Sequence, residues 1–296
     1  TNFITDALHR SGFRRSVGLC DGYTCAPRGF AFTLDIPKYL VHTRHAGLNH
    51  CGWVYKAETD GRDLMAELRT IPQDVAEKNL TTKHSESAQE LLRFLDIFRL
   101  LGLYPALSGH QEPYFFHEEC LADEQCGRHA HRSVEERSRA NWDRLKAVLQ
   151  HFDEAAADDV AKAHAGAHAD LAIGVANALA TDSGEEFPVN VPHGGAVPGF
   201  TPETVLEVYS RVTRQGFAPV AVPAFPKAII AQQHHLAMVQ QLLVQGILEK
   251  DRTLLLQAFL IHPFTKSFAR ARACFETMWR EEQEFLGSYW TGERAS

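Results

Sequence analysis

The chain is short of cysteine, of basic charge and of long apolar runs, and each shortage closes off a class of protein. Six cysteines are scattered through 296 residues. A chain of this length can bury a sizeable core without covalent staples, so the thiols read as reduced and the compartment as cytoplasmic. No apolar run reaches the roughly 20 residues of a membrane span and no signal peptide is visible, so no membrane partner is expected. Lys and Arg number 30 against 37 Asp and Glu, a net charge of −7 with no basic stripe, which argues against nucleic acid as a partner. There is no G-x-G-x-x-G turn and no strand–turn–helix opening to carry one, so the fingerprint that seats a dinucleotide pyrophosphate is missing. Repeats and low-complexity segments are absent too.

What is present describes a globular body, 45% hydrophobic and 23% charged, compatible with one large domain or two. Periodicity predicts an α/β fold (α+β in arrangement) with small mixed sheets and predominant helices. Helices are expected at Thr5–Ser11, Ala26–Leu34, Asp63–Leu68, Ser85–Leu101, Ser133–Phe152, Asp159–Ala180, Pro226–Glu249, Arg252–Leu260 and Thr265–Phe285. The fifth opens on a capping box, Ser133-Val-Glu-Glu. Strands are expected at Ser16–Leu19, Tyr39–Ala46, Gly52–Ala57, Val189–Val191 and Val205–Tyr209.

Two strings thirty residues apart carry the chemistry: Gly18-Leu19-Cys20-Asp21 and Gly47-Leu48-Asn49-His50. Each sets a metal-capable side chain just after a short apolar run, a thiolate in one case and an imidazole in the other. Two protein ligands leave coordination positions open for a substrate, and Asp21 stands where a proton donor is wanted. Taken singly, Cys20 reads as a small buried hydrophobe and His50 as a satisfied core histidine; the pairing changes that. A second group, His117, Cys120, Cys126, His129 and His131, matches none of the common structural zinc spacings and reads as a polar insertion. His234 and His235 lie in a predicted helix, one toward a neighbour and one outward. The Phe94/Phe98 and Phe268/Phe275 spacings read as core or dimer contacts.

The string GLCD followed by AGLNHCGW resembles glycoside hydrolase family 4, the NAD- and manganese-dependent glycosidases. Phe187-Pro-Val-Asn-Val-Pro-His, then Glu203-Thr-Val-Leu-Glu-Val, and the later Gln257-Ala-Phe-Leu-Ile-His-Pro-Phe are similar to further segments of that family, in the same order. The resemblance implies the C-terminal part of a lactate/malate dehydrogenase-like fold. It makes 1–296 a catalytic and oligomerisation domain without its N-terminal Rossmann domain, and Thr1–Leu8 looks like the helix that follows the nucleotide-binding half. It implies a homodimer or homotetramer. It also implies a small-molecule glycoside substrate, opened by NAD-dependent oxidation at sugar C3, metal-assisted elimination and addition of water. On this reading Cys20 and His50 are the metal ligands, for Mn2+ or another divalent metal; Asn49 binds a substrate hydroxyl or supports the ligands, and Asn190 binds substrate. Alone, such a chain should bind metal weakly and hydrolyse nothing.

Asp21 matches the acid that phospho-α-glucosidases of the family place after the cysteine; β-specific relatives carry Asn there. An α-linkage is therefore expected. Phosphosugar members continue with Met-Pro, whereas this chain has Gly22-Tyr23, a departure that weakens the phosphosugar inference. The C2 base falls in Ser108-Gly109-His110-Gln111-Glu112-Pro113-Tyr114, with His110 and Tyr114 the catalytic candidates. His193 replaces an expected Asn. Two other readings compete: a non-catalytic assembly or regulatory half-protein of the same family, and a 2-hydroxy-acid dehydrogenase, whose Arg–Asp–His relay would be expected in this half.

Overall fold

The computed structural model describes residues 2–107, 111–122, 167–265 and 267–291, together with positions 139, 142, 143 and 146. Its centre is one seven-stranded antiparallel sheet in the order β3-β2-β1-β6-β5, with β4 on β2 and β7 on β6. The strands are β1 (His42–Gly47), β2 (Trp53–Thr59), β3 (Arg62–Asp63), β4 (Tyr104–Pro105), β5 (Glu186–Pro192), β6 (Val205–Thr213) and β7 (Gly216–Pro219). Segments that read locally as separate short strands are thus joined into one sheet. Helices clothe it: α1 (Asn2–Arg10), α2 (Ala26–Thr33), α3 (Leu64–Thr70), α4 (Gln73–Lys83), α5 (Ser85–Leu101), α6 (His117–Ala122), α7 (Ala167–Thr181), α8 (Lys227–Glu249), α9 (Arg252–Ile261), α10 (Phe268–Glu281) and α11 (Gln283–Thr291).

Most of the expected elements form, and their ends have local causes. Asp63 caps α3 by accepting from the Met65 and Ala66 N–H groups, and Asp251 caps α9 through Thr253 and Leu254. Gly102, left-handed at φ 87°, ends α5. Three expectations are corrected. Ser16–Leu19 makes only a single bridge, Gly18 with Asn190. Tyr39 lies in a 3-10 turn, Lys38–Leu40, and is 80% exposed, because Pro37 sets a turn before β1 begins. The last expected helix breaks at Glu282 into α10 and α11. Helix α4 and strand β7 were not anticipated. The Ser133–Phe152 helix, most of the cysteine–histidine group and the start of the Asp159–Ala180 helix lie outside the described residues.

The core gathers Phe30 of α2, Trp53 and Val54 of β2, Leu64 and Leu68 of α3, Phe94 and Phe98 of α5, Leu206 and Val208 of β6, and Ile229 of α8. Burying each such side chain is worth about 1.5–3 kcal/mol against exposure. No helix among the described residues is long and apolar enough to cross a membrane. Cys20, Cys25, Cys51 and Cys274 are free thiols, whereas Cys120 is disulfide-bonded, a departure from six reduced cysteines.

Candidate metal and substrate site

The two strings meet. Cys20 Sγ lies 3.4 Å from His50 Nε2. Two ligands sharing one metal, with bonds of roughly 2.3 Å to sulfur and 2.1 Å to nitrogen, stand about 3.1–3.6 Å apart, so the pair fits the role read from the sequence.

Each ligand has its own support. Cys20 ends the irregular stretch that Gly18 pins to β5: the Asn190 N–H donates to the Gly18 carbonyl at 2.8 Å, the Gly18 N–H to the Asn190 carbonyl at 3.1 Å, and Asn190 Nδ2 to the Gly18 carbonyl at 3.3 Å. Cys20 then caps the 3-10 turn Asp21–Thr24, its sulfur accepting from the Gly22 N–H. A side chain at 22 would crowd Leu107 at 3.0 Å and Cys20 Sγ at 3.3 Å, which accounts for glycine there. Asp21 opens this turn, half-buried beside the thiol.

His50 sits in the tight turn Leu48–Cys51 between β1 and β2, closed by the Cys51 N–H to the Leu48 carbonyl at 2.8 Å. Its φ of 66° puts a histidine in the left-handed region, a cost of about 1–3 kcal/mol that persists only where the surroundings over-determine it. They do. Gln233 of α8, fully buried, accepts from the Leu48 N–H at 2.8 Å and donates to the Cys51 carbonyl at 2.8 Å. Gly47, at φ 135°, lets that amide approach: a Cβ there would lie 2.8 Å from Gln233 Oε1.

Behind the pair is a carboxylate that sequence reasoning passed over. Glu207 of β6 is 5% exposed, flanked in register by Gly47 of β1 and Asn190 of β5. It accepts from His45 Nε2 at 2.8 Å and from Asn49 Nδ2. Burial alone would raise its carboxyl, but His45, Asn49 and the nearby His50 outweigh that and hold it below the usual range. His45 is turned toward it at a β-bulge after Arg44, and its Nδ1 is buried without a hydrogen-bond partner. The signal was present in sequence: a lone Glu inside the apolar run Val205-Leu206-Glu207-Val208. Burial also pushes the Cys20 thiol up; the Asn49 amide opposes this, Glu207 reinforces it, and Gly22 and Asp21 make smaller contributions of opposite sign. Gly22, His45, Asn49, His50, Gly52, Ala106, Leu107 and Glu207 line the resulting cleft.

The other sequence candidates fall elsewhere. Asn190 is fully buried behind Gly18, with its Oδ1 unpartnered. Tyr114 packs against Phe264, with ring centroids 4.8 Å apart, and burial, with Cys51 nearby, pushes its hydroxyl up to about 12. His110 lies outside the described residues. His193 organises its own loop: Nδ1 accepts from the Gly195 and Val197 N–H groups and Nε2 donates to the Thr201 carbonyl at 2.8 Å. His234 and His235 each bond a backbone carbonyl, of Gly199 and Ile261.

The seven-stranded antiparallel sheet thus sets a thiol–imidazole pair before a buried carboxylate. Residues 45–265 match the family 4 glycosyl hydrolase C-terminal domain, and the chain belongs to that family. It is 21% identical over 276 residues to an alpha-galactosidase of Bacillus subtilis, covering 89% of this chain and 59% of that protein. It is 25% identical over 252 residues to a 6-phospho-alpha-glucosidase of Leptotrichia buccalis, covering 82% and 55%. The chain thus spans a little over half the length of these relatives. In fold it is similar to a 6-phospho-alpha-glucosidase from gut microorganisms solved in complex with NAD and Mn2+. There the TM-score is 0.73 and the identity 18%, covering 95% of this chain and 65% of that one.

Proposed function

We propose that this chain is the metal- and sugar-handling part of a glycosidase that cleaves an O-glycosidic bond, α-linked, with NAD and a divalent metal such as Mn2+. The observation that carries the reading is the 3.4 Å approach of Cys20 Sγ to His50 Nε2, at the edge of a cleft that His50 and Glu207 line. Family membership and the NAD and Mn2+ of the similar structure support it. When bound, the nicotinamide supplies reversible oxidation at sugar C3, and the metal supplies Lewis acidity at the C2 and C3 oxygens.

The chain's own residues do the rest. Cys20 and His50 would hold the metal. Asn49, its amide shared between Glu207 and the Cys20 sulfur, orients the ligands, so of the two uses open to it support is favoured over a direct grip on substrate. Asn190 acts in the same way, from behind Gly18. Asp21 delivers a proton to the leaving glycosidic oxygen. His110 and Tyr114 are the two candidates for the group that takes the C2 proton, and burial pushes the Tyr114 hydroxyl up to about 12. The 1–296 chain acts as a catalytic and oligomerisation domain, in a homodimer or homotetramer.

Cobalt titration tests the metal pair directly. A thiolate-to-cobalt charge-transfer band should rise with Co2+, fade with competing Mn2+, and vanish in Cys20→Ser and His50→Ala. Joined to a nucleotide-binding half, the protein should release p-nitrophenol from α-glycosides only with both NAD+ and metal. Release that ignores NAD+ would overturn the mechanism.

A further inference from the structure

The 3-10 turn Glu112–Tyr114, which carries one of the two candidates for the C2 base, is held by two residues outside it that the mechanism above does not use. Its own tie to the cleft is Gln111. That side chain is fully buried; the Gln111 N–H donates to the Leu107 carbonyl at 3.4 Å, and its Oε1 accepts from the Leu107 N–H at 3.4 Å. Leu107 lines the cleft beside His50. A single 3-10 turn tied by two bonds of that length is a loose mounting for a side chain.

Support from two sides tightens it. Arg93 of α5 pairs with Glu112, the two side chains 14% and 4% exposed, and its guanidinium also lies over the Phe116 ring at 5.4 Å. A buried carboxylate persists only where it is paired, so this contact fixes where the turn begins. On the other side, Pro263 stops α9 and leaves His262 extended. The corner that follows is tied by the Phe264 N–H to His262 Nδ1 at 3.3 Å and by Thr265 Oγ1 to the His262 carbonyl at 2.7 Å. It presents Phe264 to the turn. The Phe264 ring centroid stands 4.8 Å from that of Tyr114, tilted by 32°, and 5.2 Å from that of His117, nearly parallel at 12°, with His262 edge-on at 4.8 Å. Ring faces and edges carry opposite partial charge, so such contacts fix the angle of a ring as well as its distance, which an aliphatic side chain does not.

We propose that Phe264 and Arg93 are positioning residues, which together seat the Glu112–Tyr114 turn and set the Tyr114 phenol relative to the Cys20–His50 pair. The consequence for catalysis rests on the glycosidase reading; the seating of Tyr114 can be measured without it.

The test is fluorine NMR of the full chain labelled with 3-fluorotyrosine, in which Tyr114→Phe identifies the Tyr114 signal among the seven tyrosines. Phe264→Leu should move that signal and leave the rest in place. Arg93→Lys, which keeps the charge but loses the planar fork, should move it too. A Tyr114 signal that stays put in Phe264→Leu, or moves no more than the others, overturns the seating. Should Phe264→Leu fail to fold, seen as collapse of every tyrosine signal, Arg93→Lys decides by the same comparison. Co2+ affinity at Cys20–His50 should be unchanged in both variants, since that pair hangs from β5 and α8; a matching loss would mean general damage to the fold and overturn the specific role. Joined to a nucleotide-binding half, both variants should lower kcat about ten-fold or more with KM within about two-fold. They should also enlarge the isotope effect of a C2-deuterated glycoside, because a displaced group slows the step that breaks the C2–H bond. Unchanged kcat with a moved fluorine signal overturns the positioning role. A joined wild type that cleaves no glycoside sinks the glycosidase reading alone, and the fluorine result stands.

Discussion

Glu207 illustrates how much a single buried residue can organise without touching a ligand itself. As a carboxylate it can only accept, and both groups it meets, His45 Nε2 and Asn49 Nδ2, donate to it. Glu207→Gln keeps the shape but turns an N–H toward one of those donors. We expect Co2+ affinity at the Cys20–His50 pair to fall about ten- to a hundred-fold, the range for residues that orient metal ligands, with charge-transfer intensity per bound metal preserved. Unchanged affinity would show that Glu207 serves the strand alone. At this scale the sequence was half legible. Cys20, Asp21, Asn49 and His50 stand in short contiguous strings, so local reading finds them. Glu207 and Gln233 act on residues 158 and 185 positions away, and nothing local announces such partners.

Among the elements, α2 meets β4 and α5 through one crowded contact. Gly29 of α2 lies where any Cβ would come within 2.1 Å of the Tyr104 hydroxyl oxygen. Tyr104 is packed among Phe30, Phe94 and Phe98, and its hydroxyl is buried with no hydrogen-bond partner. Gly29→Ala should gain about 1 kcal/mol of helix propensity and lose more to overpacking, which typically costs about 1–3 kcal/mol. Urea melts should show net destabilisation. Tyr104→Phe removes an unsatisfied polar group and should be neutral or stabilising, and the double variant should recover much of the Gly29→Ala loss. Helix and strand existence was legible because apolar spacing decides it: α2, α5, α8 and α9 fall within a residue or two of expectation. The union of the short strands into one sheet was not, because pairing such as β1 with β6 joins segments about 160 residues apart.

For the whole molecule, burial sets a pH window. His84, His193 and His262 are all held below their ordinary range, burial being the largest cause in each. The unfolded chain therefore takes up protons first as pH falls, so their contribution is complete above about 6.5 and is lost as pH drops through the lower folded values. Burial raises Tyr104 and Tyr209, which reverses the sign: their contribution is complete below about 10 and is lost as pH climbs past it. Tm measured against pH should be flat between about 7 and 9 and fall on both sides. A Tm that keeps rising below pH 6 would contradict the neutral, doubly accepting His193.

Cys20 and His50 hang from different supports, the thiol from β5 through Gly18 and Asn190, the imidazole from α8 through Gln233. The gap between them therefore measures how strand and helix stand to one another. It is set only where the sheet is paired and α8 is docked on it, so capture of a ligand by the pair reports the union of those two supports.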